Sequence, residues 1–260
     1  MYKRSYDRSN LDVWIDLCTF CNAGCPQCHR TSSQKNGEKA VAKKLDKVDW
    51  LPLVQWDLKK FKKAFPIEII RRIPNFYFCG TWGDPIMCKD IAKICKYIIN
   101  SSDNSLICIN TNGSIRDEDW WWDLGAYCKK RLTVIFDVDG IDQEMHSKYR
   151  QNTNLKKILS NIESISSTPA KPLIHVIVFK HNQNYLEDIA KMVRNHGVHD
   201  KIIFEMSSRF KNNKQHYFIN RQDELDYLEK ATIKKNKILN ISGEWEFRNE
   251  NGITIMQNEN

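Results

Sequence analysis

The sequence predicts an α/β protein built on a mostly parallel sheet, and three observations carry that prediction. Six short runs rich in apolar and β-branched residues recur along the chain, at 12–17, 75–80, 105–110, 131–138, 173–179 and 201–206. Most are apolar at consecutive positions, the mark of strands covered on both faces, where half-exposed strands would alternate. Helix-length segments separate them, so the repeating unit is β–α, which right-handed crossovers turn into neighbouring parallel strands. Six such units give either a doubly wound sheet or an open, partial barrel.

The first run, DVWIDL, leads into a cysteine-dense loop, CTFCNAGCPQCHR, at 18–30. The connection that follows, 29–74, is long, and its first part, TSSQKNGEKAVAKK, is polar and expected to be mobile. A loop of that length inside a compact domain is often functional. NFYFCG is the second strand, followed by a helical segment at 86–100, and SLICIN is the third, followed by a helix at 118–130. RLTVIFDV is the fourth, with a helix at 154–165. LIHVIVF is the fifth, with a helix at 184–197 whose closing Gly197 is a stop signal. KIIFEM is the sixth. Beyond residue 210, RQDELDYLEKA predicts a short helix, and ISGEWEFRNENGITIM predicts two strands about Asn251-Gly252, a hairpin signal.

A chain of 260 residues buries a full core without staples. Hydrophobic residues make up 41% and charged residues 28%, ordinary globular values. No apolar run approaches the roughly 18 residues that cross a bilayer, so no membrane partner is expected. The basic N-terminus lacks the apolar stretch and cleavage site of a signal peptide, and the expected location is the cytoplasm. There, nine cysteines, an odd number, point to metal ligands or free thiols instead of disulfides. The net charge of +8 admits an anionic partner such as nucleic acid. The basic residues are scattered, however (KKFKK at 59–63, KK at 129–130 and 234–235), and read as solvated helix faces.

Cys21, Cys25 and Cys28 form C-x3-C-x2-C directly after a predicted strand, with Gly24 and Pro26 inside the loop. The glycine lets the backbone turn tightly, and the proline removes an amide that would need a partner. Three thiolates from one loop ligate three irons of a [4Fe–4S] cluster and leave the fourth open for chemistry. The alternative that the residues leave standing is a closed zinc site from Cys18, Cys21, Cys25 and Cys28, with His29 in reserve. Zinc sites usually draw on two separated pairs, and no second C-x2-C or H-x3-H follows. Cys18 is expected to stay unligated.

With these residues in view, the chain resembles the radical S-adenosylmethionine (SAM) superfamily, whose hallmark is this cysteine loop after the first strand of a partial barrel. FCGTWGDPI is similar to the family's Gly-Gly-Glu-Pro loop, with Gly83, Asp84 and Pro85 at the Gly-Glu-Pro positions and Asp84 one methylene shorter than Glu. INTNGS is similar to the family's Thr-Asn-Gly ending of the third strand. VIFDVDGIDQEMHSKYR and VIVFKHN resemble the fourth- and fifth-strand endings of the branch that acts on peptides and small molecules. The matches span residues 12 to about 210.

The resemblance implies a partial (β/α)6 TIM-like barrel over 1–210 and an extension, 211–260, that looks like a truncated SPASM or twitch hairpin. No cysteine follows Cys128, so no auxiliary cluster is expected: one cluster suffices, or the chain is a shortened form. The implied function is reductive cleavage of SAM at a [4Fe–4S] cluster to a 5′-deoxyadenosyl radical, which abstracts hydrogen from a peptide or small-molecule substrate. The electron would come from a one-electron reductase such as flavodoxin or ferredoxin.

Gly83, Asp84 and Pro85 would hold the SAM amino group, and Asn112 would face its carboxylate or the substrate, or shape the Asn-Gly turn. Asp137 and Asp139 would meet the ribose or cap the next turn. Gln27, where the family commonly has an aromatic residue, would lie along the adenine, or another side chain would take over the stacking. No catalytic side chain is assigned. Glu205 and Arg209 are expected to form a strand-edge ion pair, and His146 and Arg150 to be solvent-exposed. Cys79, Cys88, Cys95 and Cys108 are expected in the core, as is most of the Trp120–Trp122 triplet. The alternatives are a nucleotide- or nucleic-acid-modifying member, or a non-catalytic iron–sulfur or zinc protein; the latter would not need the Gly-Asp-Pro loop.

Overall fold

A computed structural model describes residues 12–31, 46–210, 212–233, 243–248 and 254–257. The polar segment expected after Thr31, the Lys234-Lys235 pair and the Asn251-Gly252 turn lie outside the described residues.

Six parallel strands pair in chain order: β1 (Val13–Ile15), β2 (Asn75–Phe78), β3 (Leu106–Thr111), β4 (Leu132–Asp137), β5 (Lys171–Val178) and β6 (Ile202–Met206). The order never reverses, as it would at the switch point of a doubly wound sheet, so the open barrel is the architecture. Helices α1 (Leu58–Ala64) and α2 (Ile67–Ile70) follow β1, and α3 (Ile91–Ser101) follows β2. After β3 comes α4 (Glu118–Cys128); after β4 come α5 (Gln143–Ser147) and α6 (Leu155–Ser166); after β5 comes α7 (Leu186–Asn195). Asp117, Asp142 and Asn154 accept a first-turn amide and so start α4, α5 and α6. Gly197, with φ +85°, stands just past the end of α7, as its position predicts.

The two faces of the sheet divide the labour. Val134 and Phe136 on β4 and Ile174 and Val176 on β5 are buried in one core with Trp121, Ile158 and Ile189 of the helices. Thr133, Ile135 and Asp137, with His175 and Ile177, alternate with them on the other, inner face and are half-buried. Parallel register then sets Asp137 beside His175, and Ile177 beside Glu205. Cys79 and Cys108 are also half-buried, which corrects the expectation of core packing, whereas Cys88 and Cys95 are fully buried. Trp121 is buried, Trp120 packs partly buried against the same core, and Trp122 is 50% exposed, so most of the triplet packs inward.

The segment expected as a C-terminal helix is a strand. β7 (Gln215–Ile219) and β8 (Leu225–Glu229) form an antiparallel hairpin, turned by Asn220, whose side-chain oxygen accepts from the amides of Gln222 and Glu224. Alternation wins over helical spacing because His216, Phe218 and Leu228 all have one buried surface to cover. β9 (Trp245–Arg248) adds to the main sheet parallel to β6, and β10 (Thr254–Gln257) pairs antiparallel with β9. Among the described residues no helix is long and apolar enough to cross a membrane.

Candidate active site at the strand ends

The cysteine loop leaves the C-terminal end of β1, where TIM-like barrels place their chemistry. It is closed locally by Cys28 N donating to Cys25 O at 3.0 Å and by the Thr31 hydroxyl donating to the same carbonyl. Distant segments hold it from outside. Gly24 N donates to Gln151 O at 2.9 Å, and the side-chain amide of Asn152 donates to Asn22 O at 2.6 Å. Ala23 and Cys25 pack with Tyr149, Phe179, Phe210, Phe218 and Leu228.

The three thiols are free, and two of them have a nitrogen donor at hand: Asn112 Nδ2 lies 4.0 Å from Cys21 Sγ, and Arg150 Nη1 lies 3.8 Å from Cys25 Sγ. Burial pushes Cys21 upward and Cys25 to about 12, the latter opposed by the Arg150 charge. Both are therefore neutral until a metal replaces the proton. Cys18 is engaged elsewhere, its Sγ 3.1 Å from Asp84 O. Among the described residues no three His, Cys, Asp or Glu side chains converge on a single ion.

Beside it lies the Gly83-Asp84-Pro85 loop. A Cβ on Gly83 would stand 2.3 Å from Cys18 O and 2.8 Å from Phe20 O, so only glycine lets the two loops touch. Asp84 is 3% exposed, and its carboxylate accepts from Ile86 N (3.2 Å), the Thr111 hydroxyl (2.9 Å), Asn112 N (2.9 Å) and Asn112 Nδ2 (2.6 Å). Four donors fill the acceptor positions of a carboxylate. Burial raises its pKa to about 6, and these hydrogen bonds hold the rise in check. Asp84 thus ties the end of β3 to the cysteine loop. Gly113, with φ +72° and Phe136 against it, makes the turn that brings Asn112 there.

Asp137 and Asp139 converge on Arg150, whose Nη1 lies 3.0 Å from Asp137 Oδ2 and whose Nε lies 2.6 Å from Asp139 Oδ2. Arg150 is 9% exposed and His146 is fully buried, with Nε2 3.0 Å from the Thr153 hydroxyl oxygen; both were expected in solvent. The face they share turns inward because it meets buried partners there, Asp137 and Asp139 for Arg150, and Asp139 N with the Thr153 hydroxyl for His146. Asp139 is fully enclosed, its other oxygen accepting from Ile177 N at 2.6 Å, while Asp137 keeps an open edge toward the inner face. Asn182, from the VIVFKHN motif, donates to Asp139 O and Ile177 O and fixes that corner.

His175 was not singled out from sequence, although a lone polar residue in an apolar strand is a usable signal. Its Nδ1 lies 3.1 Å from Asp137 Oδ1 and its Nε2 lies 3.3 Å from Glu205 Oε2. Burial alone would depress its pKa; the two carboxylates outweigh that and raise it to about 9, so the ring is an imidazolium at neutral pH. The expected Glu205–Arg209 pair is absent: Glu205 pairs with His175 and Arg248, and Arg209 donates to Gln27 O. Gln27 is buried, its Oε1 accepts from the Ser207 hydroxyl at 2.6 Å, and its Nε2 has no partner.

No family model matches the sequence. A curated relative, the probable GTP 3′,8-cyclase of Methanococcus aeolicus, is 24% identical over 230 residues, which cover 85% of this chain and 68% of the relative. Two solved structures share the fold. Streptococcus suis SuiB bound to S-adenosylmethionine superposes with a TM-score of 0.60 at 11% identity over 92% of this chain, and anSMEcpe with bound AdoMet superposes with a TM-score of 0.56 at 14% identity over 75%. The chain shares the fold of these two S-adenosylmethionine-binding proteins. It spans 50% of the length of each of these two solved chains. A [4Fe–4S] cluster and SAM, the cofactors that the sequence resemblance implies, fit what is present: three thiols in one short loop, sulfur-directed N–H donors, an orphaned buried amide on Gln27, and a glycine-permitted contact between the two loops.

Proposed function

We propose that this chain is a radical SAM enzyme that takes a hydrogen atom from a peptide or small-molecule substrate held on the inner face of the barrel. The observation that carries the reading is the meeting of the cysteine loop with the Asp84–Thr111–Asn112 network at the strand ends. Cys21, Cys25 and Cys28 would hold a [4Fe–4S] cluster, and Gly83, Asp84, Pro85, Asn112, Asp137 and Gln27 would surround SAM. When bound, those groups would supply one-electron cleavage of SAM, with the electron drawn from a flavodoxin- or ferredoxin-type donor. The chain's own part is to position and to exclude water. Asp84 fixes the loop, Asp139 and Arg150 fix the end of β4, and the inner face offers Ile135, Ile177, His175 and Glu205 to substrate.

The charges of that inner face are satisfied among themselves, His175 between Asp137 and Glu205, which suits a substrate of low net charge. SuiB, whose fold it shares, has been solved bound to its precursor peptide SuiA. A nucleotide substrate is the second reading, favoured by the Methanococcus aeolicus relative.

The test is anaerobic cluster reconstitution, then reduction with SAM present. About four irons per chain and release of 5′-deoxyadenosine are expected. A zinc-loaded protein that leaves SAM intact overturns the reading. Deuterium transfer into 5′-deoxyadenosine from labelled peptide or from labelled GTP separates the two substrate classes.

A further inference from the structure

Arg150 occupies an unusual place. Its guanidinium is buried, bridges Asp137 and Asp139, lies 3.8 Å from Cys25 Sγ and rests over the Tyr149 ring at 4.9 Å. Its neighbours Gln151 and Asn152 are hydrogen-bonded to Gly24 and Asn22, so its backbone is anchored to the very loop its side chain faces. The groups packed around it are Cys25, Tyr149, Asp137, Asp139 and, through Asp137, His175. With His175 charged, two cations answer two carboxylates here, and Glu205 lies beyond His175. Deleting the guanidinium leaves Asp139 without its counter-charge in the interior and strips Cys25 of a sulfur-directed donor.

We infer that Arg150 is a positioning residue which ties the cysteine loop to the end of β4 and makes a cluster held by that loop easier to reduce. The inference rests on the proposed iron–sulfur role of the loop. The physics is direct: reduction adds a negative charge, which a nearby buried cation and an N–H donated to a thiolate both favour. Losing the cation acts against reduction, as does any charge left on the carboxylates that it paired. A purely structural arginine would change how much cluster is retained and leave the midpoint of the retained cluster where it was.

The experiment is an anaerobic redox titration of the reconstituted protein without SAM, followed by electron paramagnetic resonance, on wild type, Arg150→Gln and Asp139→Asn. For Arg150→Gln the reduced-to-oxidised ratio at fixed potential should fall at least tenfold, which is about 59 mV for a one-electron couple. Asp139→Asn removes a negative charge from the same network and should move the midpoint the other way. An Arg150→Gln protein with wild-type iron content and an unchanged midpoint overturns the inference. Should that variant retain no iron, Asp139→Asn decides: a midpoint that stays or falls overturns it. A wild-type chain that takes up no cluster overturns the parent reading as well, whereas one that cleaves SAM while the Arg150→Gln midpoint stays fixed overturns this inference alone.

Discussion

The ring nitrogen Nε2 of His216 lies 3.1 Å from the carbonyl oxygen of Pro26, a contact between residues 190 apart in the chain. Burial lowers the pKa of His216, so the ring is neutral and donates from Nε2. Together with Ser207 and Arg209 on Gln27, it makes the C-terminal segment a clamp on the middle of the cysteine loop. His216→Leu keeps the volume and removes the donor, leaving a buried carbonyl unpaired at about 1–3 kcal/mol. The expected outcome is a lower melting temperature and faster bleaching of the cluster absorbance in air. Unchanged bleaching would show that the clamp is not what shields the loop.

The four cysteines of the loop should separate cleanly. Replacing Cys21, Cys25 or Cys28 with Ala should abolish iron retention, measured by iron content after desalting. Cys18→Ala should retain iron at the wild-type ratio, because its thiol serves only the Asp84 carbonyl among the described partners beyond Phe20. Its cost is about 1 kcal/mol of stability. Loss of iron in Cys18→Ala would revive the zinc reading.

Gly83→Ala tests the contact between the two loops. The three nearest atoms to the added methyl are all backbone, of Cys18, Thr19 and Phe20, and the closest approach of 2.3 Å cannot be relieved by turning a side chain. A loss of roughly 1–3 kcal/mol is expected in denaturant unfolding, with weaker SAM binding by calorimetry. Gly80→Ala is the control, since its nearest atoms lie at 3.5 Å or beyond.

His175 gives the fold a pH dependence with a definite sign. Its folded pKa of about 9 exceeds the ordinary 6.5, so its contribution is fully present below about pH 6.5 and is lost as the pH rises through 9. The size is on the order of 3 kcal/mol at most. The stability gap between wild type and His175→Gln, measured by urea unfolding, should be largest at pH 6 and shrink by pH 10. A gap that widens with pH would mean the ring is neutral in the folded state.

The strands were readable because one fully buried and one half-buried face write themselves as nearly unbroken apolar runs, and the cysteine and Gly-Asp-Pro loops because their chemistry is local in sequence. Arg150 was misplaced for the opposite reason. Its spacing from His146 says one helical face, yet what decides its position is a pair of aspartates and a thiol that sequence distance hides. RQDELDYLEKA misled similarly: its leucine and tyrosine spacing serves a helix as well as a strand, and only the shared surface with His216 and Phe218 selects the strand. Asp84 shows the limit of motif matching, since its position was legible and the four donors around it were not.

The walls of the cysteine loop have an order of birth. As the chain leaves the ribosome, residues 21–28 emerge early, but Gly24 waits for Gln151, Gln27 for Ser207, and Pro26 for His216. Contacts of such long sequence separation form late, after the intervening strands have paired. A chain folded only through its first strands therefore presents three thiols without these contacts, and the loop becomes a shaped pocket only once Ser207 and His216 are in place. Refolding from denaturant should likewise restore the enclosure of the loop only after the sheet has paired, and cluster reconstitution is best begun on the refolded protein.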